Sequence, residues 1–101
     1  MEKQRHDAQL AAFVSVMKER DRQHELWGEQ QHSLSEWHTL LSEEVGELAQ
    51  AINETVLVNR TKEKDKGGYD NMRAEAVQVA ALAVQFVEYL DRHYKQEEKQ
   101  S

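Results

Sequence analysis

The segment Leu41-Ser-Glu-Glu-Val-Gly-Glu-Leu48 carries three carboxylates within eight residues. On a helix, at about 100° per residue, Glu43, Glu44 and Glu47 fall within an arc of roughly 100°. Glu43 faces furthest outward and Glu47 sits at the edge of an apolar stripe formed by Leu40, Leu41, Val45, Leu48, Ala51 and Ile52, whereas Glu44 projects within that stripe. A carboxylate there must be paired, protonated or bound to a cation, because burying it bare costs many kcal/mol. Further along, Glu75 lies in the middle of the stripe of Val79, Leu82 and Phe86, with Gln78 one turn on at its edge. If the two segments pack together, Glu44, Glu47 and Glu75 converge on one point. Three or four oxygen ligands from facing helices suit a hard divalent cation such as Mg²⁺. Two plainer readings stay open: a solvated acidic face, or a buried glutamate paired with Arg73 or a histidine.

The elements that must position these groups are helices. With no proline and four glycines, long stretches have nothing to interrupt them. A first helix is predicted from about Asp7 to Glu25, with Leu10, Phe13, Val14 and Met17 on its core face and Lys18, Glu19 and Arg20 mostly turned outward. Trp27-Gly28 ends it, and Gly28 to Leu34 reads as a connection. Ser35 is the expected cap of a second helix, with Glu36 suited to the positive end of its dipole. That helix should reach the Val56 to Asn59 region. Arg60 to Lys66, followed by Gly67-Gly68, reads as a mobile connection, and Asp70 or Asn71 as the cap of a third helix reaching about Tyr94. The tail, Lys95 to Ser101, is polar and expected to fray. The expected fold is all-α: one domain over residues 1–101, an antiparallel bundle of three main helices.

Within Ala76 to Val87 only Gln78 and Gln85 are polar, seven residues apart on nearly one line. A helix so apolar all round must be covered on more than one side. A second subunit would do this, making a homo-oligomer. The alternative is a tight three-helix monomer with this helix in the middle.

Composition narrows the function. The chain has 101 residues, 39% apolar and 32% charged, and a formal net charge of −6. A chain of this length builds a modest core, which also favours oligomerisation. The absence of cysteine excludes disulfides, zinc-thiolate sites and thiol nucleophiles. An acidic surface disfavours binding to a nucleic acid polymer, which is driven by releasing counterions to basic groups. It remains compatible with a small phosphorylated ligand whose charge a divalent metal neutralises. Met1 to Asp7 is polar, and no apolar run approaches the roughly 18 residues of a membrane span. A cytoplasmic protein without membrane attachment is expected.

Glu43-Glu44-Val-Gly-Glu47, then 27 residues, then Glu75-Ala-Val-Gln78 resembles the EExxE…ExxD pattern of the MazG-like all-α NTP pyrophosphohydrolases. Upstream, Arg22-Gln23-His-Glu-Leu-Trp27-Gly28-Glu-Gln30-Gln-His32, and then Trp37, is similar to small single-domain members from phages and mobile elements. The resemblance covers about residues 19 to 92. It implies a helical bundle assembled as a dimer or a dimer of dimers. It also implies hydrolysis of nucleoside triphosphates between the α and β phosphates, with Mg²⁺ as cofactor and Mn²⁺ able to substitute. Carried over by position, Glu44, Glu47 and Glu75 would be metal ligands. Glu43 would be an outer member that orients or activates the attacking water. Gln78 stands where the family usually has aspartate; its amide oxygen can coordinate metal, but it lowers the ligand charge by one and cannot act as a base.

The remaining candidates concern the nucleotide. Trp27 beside Gly28 could stack a base and His32 could hydrogen-bond base, sugar or phosphate; the resemblance favours this region as the nucleotide wall, and loop packing is the alternative for Trp27. Arg60, Lys62, Lys64, Lys66 and Arg73 could reach the distal phosphates, or form a solubilising strip. Trp37 is expected in the core and His38 exposed; His24 could face either core or ligand, and His6 and His93 look incidental. Glu29-Gln-Gln-His32 lies in the connection rather than mid-helix, which excludes a ferritin-like di-iron site, and neither a Walker loop nor a serine elbow is present. These features together predict a nucleotide pyrophosphohydrolase. The alternative is a non-catalytic helical module that binds a partner or a regulatory nucleotide.

Overall fold

Three long helices form in the order expected, and the computed structural model describes residues 1–61 and 68–95. Helix α1 spans Glu2–Trp27, α2 spans Leu34–Thr61 and α3 spans Tyr69–Leu90, and a single π-helical turn, Asp91–Lys95, continues α3. Among the described residues there is no strand. The expected mobile connection at residues 62–67 and most of the frayed tail lie outside the described residues.

α1 and α2 are longer than predicted, because the chain offers no breaker where the periodic pattern stops, whereas α3 ends at Leu90 and gives way to the π-helical turn instead of running on to about Tyr94. α1 begins directly after Met1 and ends at Gly28, whose amide donates to the His24 carbonyl at 2.7 Å. Gly28 adopts φ 68°, a left-handed conformation that side chains resist. The cap of α2 is Ser33 rather than Ser35. Its Oγ accepts from the Glu36 amide at 3.1 Å while Glu36 Oε1 accepts from the Ser33 amide at 2.8 Å. This reciprocal pair satisfies two otherwise orphaned donors, which a cap at Ser35 would leave bare. Neither Asp70 nor Asn71 caps α3. Gly68 holds that position with φ 104°, and its amide donates to Thr55 Oγ1, tying the start of α3 to α2.

α3 is the middle helix. It packs on α2 along one side and α1 along another, and no Cα of α1 comes within 8 Å of α2. Apart from the acids described below, the α2–α3 seam is apolar: Trp37 is wholly buried, with Phe86 and Tyr89 each 5.4 Å from its ring, and Ala51, Ala81 and Leu82 complete the core. The α1–α3 seam is polar. Arg20 donates twice to Glu88 at 2.9 Å, Arg73 donates to Ser15 at 2.9 Å, and Gln23 is buried.

This polar seam corrects the orientation expected of α1. Leu10, Phe13, Val14 and Met17 are exposed, Phe13 by 60% and Met17 by 58%, while Glu19 and Arg20 turn inward. The pairing of Arg20 with Glu88, 68 residues away, rotates the helix so that its apolar stripe faces away from its own chain. Ala76, Ala83, Val84 and Val87 leave a third face of α3 similarly uncovered. The radius of gyration is 16.8 Å, against about 13 Å for a compact domain of this length. No helix among the described residues is long and apolar enough to cross a membrane.

Candidate metal centre

The inward carboxylates meet where α2 and α3 run side by side. Glu44, Glu47 and Glu75 each contribute one carboxylate oxygen to a cluster whose atoms all lie within 4.8 Å of one another. Glu47 is exposed; Glu44 and Glu75 are half-buried, and the Oε2 atom of each is buried with no hydrogen-bond partner. Among the described residues no ion pair involves any of the three. Arg73, a possible counter-ion by sequence, is committed to Ser15 instead. Burial raises the pKa of Glu44 above the ordinary carboxylate value, and the charges of Glu47, Glu75, Glu19 and Glu43 add to the shift.

Two orphaned carboxylate oxygens inside a trio of acids fit a hard divalent cation. Such an ion takes oxygen ligands and would remove both the desolvation cost and the mutual repulsion. Sodium-like monovalent charge would leave most of that repulsion in place. Gln78 lies one turn beyond Glu75 and lines a cavity beside the acids, together with Glu43 and Glu44.

The cavity, about 270 Å³, opens between α1 and α2 with α3 as its floor. α1 supplies Glu19, Arg22, Gln23 and Trp27, and the connection supplies Gln30. α2 supplies Leu40, Glu43 and Glu44, and α3 supplies Gln78, Leu82 and Gln85. Trp27 is thus on the wall, with more than half its surface free. His32 is not on it. Its ring packs edge-on against Trp37 at 5.0 Å and lies 3.2 Å from Gln30 Oε1, so it reaches the cavity only through that amide. Arg73 lines an adjoining groove with Lys18, and Glu19, Arg22 and Gln78 face both spaces. His38 and His6 are exposed, His24 lies outside the cavity beside Arg20 and Arg92, and His93 stacks near Tyr89.

The sequence pattern does not single out Glu19 or Gln85 as lining residues, and it places Arg22, Gln23 and Gln30 only within the segment favoured as the nucleotide wall. Part of the signal was present: Glu19, Gln23 and Trp27 recur every fourth residue and share one line of α1, as Gln78 and Gln85 share one line of α3. Compared with family models, curated proteins and solved structures, the chain gives no significant match.

Proposed function

We propose that the chain is a Mg²⁺-dependent nucleoside triphosphate pyrophosphohydrolase of the MazG-like kind. It would cleave the α–β bond of ribo- or deoxyribonucleotides to a monophosphate and pyrophosphate, limiting particular nucleotides in the cytoplasm. The observation that carries this reading is the trio Glu44, Glu47 and Glu75, with two buried, unpartnered oxygens, at the edge of a cavity walled by Trp27.

When bound, Mg²⁺ (or Mn²⁺) neutralises phosphate charge and polarises a phosphoryl oxygen. Glu44, Glu47 and Glu75 would hold it, with the Gln78 amide oxygen as a fourth ligand. Glu43 stands outside the oxygen trio yet lines the cavity, which suits it to orient the attacking water and accept its proton. The water oxygen bonds to the α-phosphorus, the bond from that phosphorus to the α–β bridging oxygen breaks, and pyrophosphate departs with the bridging oxygen while the water oxygen stays on the monophosphate. Trp27 offers its face to the base, and Arg73 with Lys18 gives the distal phosphates a cationic groove. His32 steadies Gln30 on the wall.

The working form on this reading is a homodimer or homotetramer, supported by the bare stripe of α1 and the uncovered face of α3. The same bare stripe favours a second reading, a non-catalytic module that docks a protein partner or a regulatory nucleotide. Pyrophosphate release from a panel of canonical and modified triphosphates, with and without Mg²⁺, separates the two. Metal-dependent release from at least one supports the enzyme; binding without any release supports the module.

A further inference from the structure

The amide groups of the cavity are oriented by hydrogen bonds. Arg22 and Glu19 are joined by two hydrogen bonds, Nε to Oε1 at 2.8 Å and Nη2 to Oε2 at 2.7 Å. That pairing holds the Glu19 carboxyl below its ordinary pKa, so at neutral pH it is ionised and can only accept. Glu19 Oε2 accepts a further bond from Gln23 Nε2 at 3.2 Å. The NH₂ of Gln23 must therefore face Glu19, since a flipped amide would set its oxygen against a carboxylate.

It follows that Gln23 Oε1 is turned away from Glu19. It is buried and has no partner, on a side chain only 7% exposed that lines the cavity. An orphaned acceptor in such a place is costly until a donor reaches it. The terminal torsion of glutamine is broad, so a small rotation serves an incoming group without breaking the Glu19 bond. Nearby, Gln85 is 3% exposed and donates to Gln30 Oε1 at 3.3 Å, so a second amide is also held. The cavity lies just below the roughly 300–1,000 Å³ of sites that enclose drug-sized ligands, which suits one flat ring system beside Trp27.

We infer that Gln23, its amide oriented by the Arg22–Glu19 pair on the same wall, selects ligands that present a hydrogen-bond donor to its unpartnered oxygen. Resting on the function proposed above, that donor is an N–H on the Watson–Crick edge of a nucleobase. Gln23 is then a specificity residue, and Glu19 and Arg22 are positioning residues acting through it.

The test is a double-substitution cycle read by calorimetric binding in Mg²⁺. The probes are non-cleavable α,β-imido triphosphates of uracil, cytosine, adenine and guanine, each beside a counterpart methylated at its edge N–H groups. For the best-bound base, Gln23→Met, which keeps the volume and removes the acceptor, should weaken binding about tenfold or more. It should leave the dissociation constant of the methylated counterpart unchanged. Glu19→Gln, whose own amide can present either end, should erode the same preference, and it carries the test if Gln23→Met fails to fold by circular dichroism. Equal effects on both probes, or none, would mean that Gln23 serves a structural water only and would overturn the inference. A preserved donor preference without pyrophosphate release from natural triphosphates keeps the inference and sinks the reaction; no binding of any probe sinks both.

Discussion

Against α2, helix α3 buries Trp37, Ala51, Leu82 and a cluster of aromatic rings; against α1, it pairs Glu88 with Arg20 and Arg73 with Ser15. The two seams differ in what they ask of the chain. An apolar seam is stabilised wherever water is excluded and tolerates small shifts, since burial is roughly proportional to area. A seam of charged groups and amides fixes register through directional bonds but adds little net stability. The acids and the cavity lie where the two meet: the acids on the α2 side, the orienting amides on the α1 side.

The comparison breaks most completely at Trp37. Trp37→Ala should cost about 3–5 kcal/mol, by creating a cavity and losing the contacts to Phe86 and Tyr89, and urea unfolding would read it as a large drop in midpoint. Next come Glu44→Gln and Glu75→Gln. Each should lower pyrophosphate release by about a hundredfold or more while leaving the helical circular dichroism intact. Full activity in either variant refutes the ligand set.

Phe13→Glu should leave the folded chain alone and act on assembly. It places a charge on the stripe that α1 turns away from its own core, and light scattering should show a lower mass at equal concentration. Arg20→Met tests the polar seam directly, with an expected cost of about 1 kcal/mol, because Glu88 is more than a third exposed and rehydrates. A loss as large as that of Trp37→Ala would erase the distinction between the seams.

The smallest effect concerns pH. Burial first, then its acidic neighbours, raises the pKa of Glu44 in the folded chain. The folded state therefore holds that proton more tightly than the unfolded state, so this contribution to stability is complete below the ordinary carboxylate range and is lost as pH rises through the raised value. Metal-free Glu44→Gln should then melt a few degrees above the wild type near about pH 7.5, with the gain fading toward about pH 4. Glu19, lowered by Arg22, acts in the opposite sense but is present in both proteins, so the difference isolates Glu44.

What the sequence discloses follows the same division. Trp37, Leu82 and the inward glutamates recur at helical spacing, and periodicity is enough to place them on facing sides of α2 and α3. α1 defeats the same logic. Its apolar residues form a clear stripe, yet the helix is oriented by Arg20–Glu88, a bond spanning 68 residues that no local pattern encodes. Once α1 is turned, Glu19, Gln23 and Trp27 face inward, and only then do Gln78 and Gln85 become the opposite wall of a cavity rather than two polar positions on an apolar helix. The cap of α2 falls two residues before the expected Ser35 for a simpler reason: Ser33 and Ser35 are chemically alike, and only Ser33 has Glu36 three positions on.

That α1 touches α3 but not α2 has a mechanical consequence. The two walls of the cleft share a single floor and do not brace each other directly. A ligand gripped between Trp27 and Glu44 supplies the missing strut, so occupancy and stiffness should rise together. Slower amide exchange in the C-terminal half of α1 would be its trace.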